Sequence, residues 1–278
     1  MNAGTRILLL FDNNGAEYVS RIRDGVSRAG RASGLVVQAE NLFGTNKAAA
    51  DLVEDPALAG VILTPPLSDD RHVLGLIEER KLPLVRIAPL LDLERGSTVT
   101  MDEYDAARAI TDYLLRRGHR RIGFMRGPRV HLVSMRRHNG YANAMGGKGL
   151  QIDPALIAQG DFSRQSGREQ AGQLFAARPT AIFASNDEMA AGIIDAAAAA
   201  NISIPGDISL VGFDDNAVAK TVRPRLTTVR QPLEEMGEAA SRLLLERIRQ
   251  PFRPTRHEQI PFEIVERESV ADAVAQAA

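Results

Sequence analysis

The chain contains no cysteine. Disulfides, thiolate catalysis and cysteine-built zinc sites are thereby excluded, and a cytoplasmic location is expected. It also lacks a charge of one sign: 34 basic against 35 acidic side chains leave a formal net charge of −1. Nothing in that balance attracts a phosphate backbone, which disfavours a free-standing nucleic-acid binder. No run of 18 or more apolar residues occurs, so no membrane-spanning helix is expected. The run Ile7-Leu8-Leu9-Leu10-Phe11 is too short for a secretory core, has no small-residue cleavage site behind it, and reads as a buried first strand. A Gly-x-Ser-x-Gly elbow, a Walker A loop and a dinucleotide fingerprint are all missing. The five histidines show no His-x-x-x-His spacing, so neither a metal nor another cofactor is expected. Asp214 beside Asp215 makes a poor acid–base pair, because adjacent side chains rarely aim at one substrate atom. The expectation is a binding protein without catalytic residues.

What is present is ordinary globular material, with 44% apolar and 25% charged residues, arranged as alternating short β-rich runs and helical stretches. Strands are expected at residues 6–11, 35–39, 60–64, 83–87 and 97–101, and again at 121–125, 156–160, 181–184, 208–213 and 226–229. Helical patterns lie between most of them, as at 17–32, 103–117, 167–177, 188–200 and 233–249. Strand–helix–strand repetition implies parallel sheets with helices on both faces. Continuous apolar runs such as Gly60-Val61-Ile62-Leu63 fit strands buried on both sides. Ten strands exceed what one open sheet usually holds. The expected fold is therefore α/β, with two similar doubly wound parallel-sheet lobes joined by three crossovers. The first lobe takes residues 1–101 and 233–260, and the second takes 102–232 and 261–278.

In open parallel sheets, ligands bind beyond the carboxyl ends of the strands. That rule selects Asp12, Asn13 and Tyr18 after the first strand, and Pro65, Pro66, Leu67 and Ser68 after the third. Farther along it selects Asp102, Arg126-Gly127-Pro128, Asp161-Phe162, Ser185-Asn186-Asp187 and Asp214-Asp215-Asn216. Polar groups thus collect on one edge of each sheet, where a cleft between facing lobes would gather them.

Several stretches resemble the LacI/GalR family of transcriptional regulators. They are AIFASNDEMAAG at 181–192, IPGDISLVGFDD at 204–215, and PRLTTVRQP at 224–232 followed by Glu235-Met236-Gly237. LLRRGHRRIGF at 114–124, Arg137-His138-Asn139-Gly140-Tyr141 and Val265-Glu266-Arg267-Glu268-Ser269 extend the likeness over nearly the whole chain. The resemblance implies a periplasmic-binding-protein-like effector core. It would work as a homodimer whose lobes close on a small polar effector, a sugar or similar metabolite. Operator DNA would be reached only through a helix-turn-helix headpiece. These residues begin at the first core strand and read as a trimmed core rather than a headless paralogue. The alternative is a solute-binding protein of a sugar transporter with the same fold.

Site residues follow from strand-end position and from the resemblance together. Asp214 would accept hydrogen bonds from adjacent sugar hydroxyls, and Arg137 would grip two oxygens with its planar fork. Asn186 would present its amide to the ligand, with Asp187 as the helix cap. Phe162 would stack on an apolar sugar face or a base, with Tyr18 in a similar role. Gln231 lies where the chain recrosses between lobes and is a further contact. Pro66 and Ser68 belong to a loop that would vary with specificity. Asp102 is either a helix cap or a contact, and Asp215 reads as a structural partner. The basic run 116–121 reads as a helix end, where cations face the carbonyl terminus.

Overall fold

The computed structural model describes residues 5–13 and 15–273. The chain starts with β1 (Thr5–Phe11), α1 (Ala16–Ala32), β2 (Leu35–Asn41), α2 (Ala49–Val53) and β3 (Leu58–Leu63). Next come α3 (Arg71–Glu79), β4 (Leu84–Ile87) and β5 (Ser97–Thr100). Residues 102–231 hold α4 (Glu103–Arg116), β6 (Ile122–Arg126), α5 (Leu132–Gly146), β7 (Ile157–Gln159), α6 (Arg164–Ala176) and β8 (Ala181–Ala184). They continue with α7 (Asp187–Ala199), β9 (Ser209–Asp214), α8 (Ala217–Thr221) and β10 (Thr227–Arg230). Then follow α9 (Leu233–Arg249), β11 (His257–Gln259) and β12 (Glu263–Val265).

These elements form two compact units, Met1–Met101 with Pro232–Pro261, and Asp102–Gln231 with Phe262–Ala278. The chain therefore passes from one to the other three times. The sequence expectation assigns Pro232 and Pro261 to the second lobe, whereas both belong to the first unit.

The first unit carries a six-stranded sheet ordered β11-β5-β4-β3-β1-β2, parallel throughout. Its apolar strands explain the layering: Leu8, Leu10, Val61 and Leu63 pack with Val73, Leu74 and Ile77 of α3. The second unit repeats the plan as β12-β10-β9-β8-β6-β7. Here β12 runs antiparallel to β10, a departure from the all-parallel expectation. Three residues with mixed polarity cannot announce a strand by periodicity, and for that reason neither β11 nor β12 is among the expected strands. Met125, Ile182 and Leu210 from the sheet bury against Leu174 of α6 and Met189 and Ile193 of α7. Among the described residues no helix is long and apolar enough to cross a membrane.

In each sheet the first strand of the unit lies between the second and the third, so the winding direction reverses beside it. Ligand crevices in doubly wound sheets open at that switch point, outside the carboxyl ends of the strands. In the second unit these ends belong to β6 and β8.

Candidate functional site

At the carboxyl edge of the second sheet, Arg137 is the centre of a polar group. It sits on α5, 4% exposed, with its guanidinium 3.8 Å from the centroid of Phe213, the penultimate residue of β9. Its Nε donates to Glu103 Oε2 at 2.7 Å and its Nη1 to the carbonyl of Ser185 at 2.5 Å. The Asp214 carboxylate lies 3.8 Å from Nη1. A guanidinium buried this far persists only with such partners: a carboxylate, a strand-end carbonyl and an aromatic face.

Asp214 closes β9 and retains 23% side-chain exposure. Gln231 Nε2 donates to its Oδ1 at 2.5 Å. Its φ is 119° and that of Asp215 is 54°, while Phe162 has φ 71°. Residues other than glycine reach this region at a cost of about 1–3 kcal/mol each, and such strain concentrates at ligand sites. Phe162 stands over Gly127, where an added Cβ would come within 2.2 Å of its ring. His131 meets the same ring edge-on, with 5.9 Å between centroids. Arg137, Phe162, Asn186, Asp214 and Gln231 are thus brought together within one unit.

Two roles change. Asn186, not Asp187, caps α7: its Oδ1 accepts from the Met189 amide at 2.9 Å, and its Nδ2 donates to the Phe162 carbonyl at 2.9 Å. Asn186 therefore fixes the helix and the backbone of Phe162, and it is 7% exposed. Asp187 is fully buried beneath, accepting from Thr228 Oγ1 at 2.6 Å and from the Asn216 amide at 3.0 Å. Burial first, and then the Asp214 carboxylate, push its pKa well above the usual carboxylate range. The carboxyl fits because β9 has Gly212 there, where a Cβ would lie 2.2 Å from Asp187 Oδ1. Asp215 is the structural partner expected. Burial opposes its ionisation, but Arg267, Arg230 and Lys220 outweigh that and hold its pKa low.

Asp102 resolves as a cap: its Oδ1 accepts from the Asp105 amide at 2.9 Å at the start of α4. The remaining candidates lie in the first unit. Tyr18 is half-buried in the first turn of α1. Pro66 is exposed and follows a cis Pro65–Pro66 peptide. Ser68 has no exposed surface, and its hydroxyl lies 2.7 Å from the Ile87 carbonyl and 3.1 Å from that of Leu63. Its own carbonyl accepts from Arg86 Nε at 2.6 Å. Arg86 is buried completely and also donates to the carbonyls of Leu91 and Asp92 and to Asp69. That knot holds the loop after β4 and takes up both the hydroxyl and the carbonyl of Ser68.

Sequence reasoning missed Glu103 and Phe213, and it selected Ser185 without showing that its carbonyl accepts from Arg137. Glu103 and Phe213 each stand next to a residue that was selected, but buried position and not residue type decides their role.

Two doubly wound sheets with polar strand tips, and a buried arginine braced between carboxylate and aromatic ring, define a ligand-binding module of the periplasmic-binding-protein type. The periplasmic binding protein-like domain model matches residues 111–270. The HTH-type transcriptional repressor PurR of Erwinia tasmaniensis is 30% identical over 282 residues, covering 98% of this chain and 82% of the relative. A solved complex of the transcriptional regulator CelR with cellobiose superposes with a TM-score of 0.84 at 27% identity, covering 95% of this chain and 84% of that one. A LacI family regulator from Enterococcus faecium with bound ribose gives a TM-score of 0.85 at 23% identity, covering 96% and 99%, and speaks to the fold. The chain belongs to the LacI family of transcriptional regulators, and these residues are an effector-binding core.

Proposed function

We propose that this core senses a small sugar through the strand tips of its second unit and does so without chemical turnover. The observation that carries the reading is Arg137, held between Glu103 and Phe213 with Asp214 3.8 Å away. A fixed guanidinium beside a partly exposed carboxylate offers donors and acceptors to neighbouring hydroxyls, and Phe162 offers an apolar face. The cellobiose complex of a structural neighbour supports a sugar as the class. Coupling to operator DNA would run through a headpiece, in keeping with the relative named an HTH-type transcriptional repressor, and through a homodimer in the cytoplasm. Those relatives are regulators, which disfavours both the transporter and the enzyme readings.

Thermal shift with a panel of sugars, sugar phosphates and nucleosides tests the proposal. A ligand at a hundredfold excess over its dissociation constant adds about 2.7 kcal/mol of stability. Arg137→Ala and Asp214→Ala should abolish the shift while leaving a cooperative melt. A nucleoside that shifts the melt when no sugar does would overturn the sugar assignment. Light scattering should return twice the monomer mass; a monomer at micromolar concentration would refute the dimer.

A further inference from the structure

Beside Arg137 stands a second group of side chains to which sugar hydroxyl recognition assigns no role. Arg126 ends β6 and reaches the face of α5 on which His131, Ser134 and His138 line up, three and four residues apart. Its Nη2 donates to His138 Nε2 at 2.6 Å, and its Nε is buried without a partner. Burial, then Arg126 itself, lower the His138 pKa, so the ring is neutral and accepts. Among the described residues no carboxylate offsets Arg126: burial and Arg129 both lower its pKa, and nothing opposes them. A part-buried cation lacking counter-charge is unfavourable, and an arriving anion relieves it.

The amino end of α5 acts in the same direction. The helix is 15 residues long, its N-cap His131 forms no side-chain cap bond, and no acid occupies the first turn. Its positive end is therefore unopposed. Ser134 lies in that turn, 5% exposed, and its Oγ is buried with no hydrogen-bond partner. A Cβ on Gly127 would come within 2.7 Å of this oxygen and 2.2 Å of the Phe162 ring. The unpartnered hydroxyl thus points to the junction of the β6–α5 loop and the stacking ring. Arg129, exposed on that loop, donates from Nε to Gln159 Oε1 at 3.3 Å.

We propose that the effector carries an oxyanion, phosphate or carboxylate, which docks at the start of α5 against Arg126, Ser134 and Arg129. Its sugar ring is held by Arg137, Asp214 and Phe162, so the inference rests on the sugar reading. The position agrees with the topology, since β6 flanks the switch point of its sheet.

Isothermal titration with matched neutral sugars, their phosphate esters and their uronic acids provides the test, with inorganic phosphate as the isolated probe. A charged form should bind at least about tenfold more tightly than its neutral parent. Which charged series gains identifies the oxyanion. The gain should fall with added salt and vanish in Arg126→Gln and Ser134→Ala. Arg129→Gln changes an exposed side chain, avoids the risk of misfolding, and should lose a smaller part of the same gain. Inorganic phosphate bound by the native chain but not by Arg126→Gln supports the subsite directly. Equal binding of neutral and charged sugars overturns the oxyanion and leaves the sugar reading standing. If no sugar binds and Arg137→Ala changes nothing, the sugar reading itself has failed.

Discussion

Replacing Glu103 by glutamine should destabilise the second unit by about 2–3 kcal/mol, although it changes one atom. Glu103 Oε2 accepts from Arg137 Nε at 2.7 Å, with side-chain exposures of 7% and 5%. Removing one partner of a buried pair costs about 3–5 kcal/mol, because the other charge stays desolvated and uncompensated. The glutamine oxygen still accepts the Nε proton, which places this variant at or just below the lower end. Arg137→Met also loses the bond to Ser185 and the stack on Phe213, and should reach the upper end. The double variant removes both charges together, leaving one neutral amide beside a methionine in place of an unpaired buried charge. Its cost should fall short of the sum of the singles by about 2 kcal/mol, well above the few tenths expected for independent sites. The chain has no tryptophan, so urea unfolding is followed by circular dichroism at each variant's own midpoint and slope. Additive singles would refute the reasoning, since they would mean that the two charges do not sense each other.

Gly212→Ala should destabilise by about 1–3 kcal/mol, because its Cβ would lie 2.2 Å from Asp187 Oδ1; a thermal melt of native-like height would refute the close packing. The raised pKa of Asp187 means that the folded state holds this proton more tightly than the unfolded chain does. Its stabilising contribution is complete below the unfolded value of about 4 and is lost as pH rises through the folded value. Asp187→Asn should therefore gain stability relative to the native chain as pH rises from 4 towards 8; parallel pH profiles would count against a raised pKa. Arg86→Met should cost about 3–5 kcal/mol and open the loop at residues 88–95 to proteases, and unchanged cleavage there would show that the knot is dispensable.

The alternation of apolar strands and helical patterns revealed both sheets, because strands buried on two faces have little freedom of composition. A run such as Ile7-Leu8-Leu9-Leu10 needs no tertiary information to be read. The rule that ligands gather at strand ends, together with the family likeness, singled out Arg137, Phe162, Asn186, Asp214 and Gln231 as neighbours to be. What neither could see was direction. Asn186 and Asp187 are adjacent and both favour caps, and only the register of α7 against β9 decides which one caps and which is buried. Ser68 looked like any polar loop residue, since the arginine that claims its carbonyl is 18 positions away. Glu103 lay hidden behind Asp102 because the sequence marks a helix start without saying which carboxylate turns inward.

The late strands have a consequence for how the protein is made. β11 and β12 cover the outer sides of β5 and β10, and both come from residues 257–265. A ribosome that has exposed the chain only as far as residue 250 has therefore released two sheets, each lacking its last strand. Sheet edges left open in this way invite pairing with other nascent chains. Stalled or prematurely terminated synthesis near that point should yield aggregates, while a few more residues bring the cover for both.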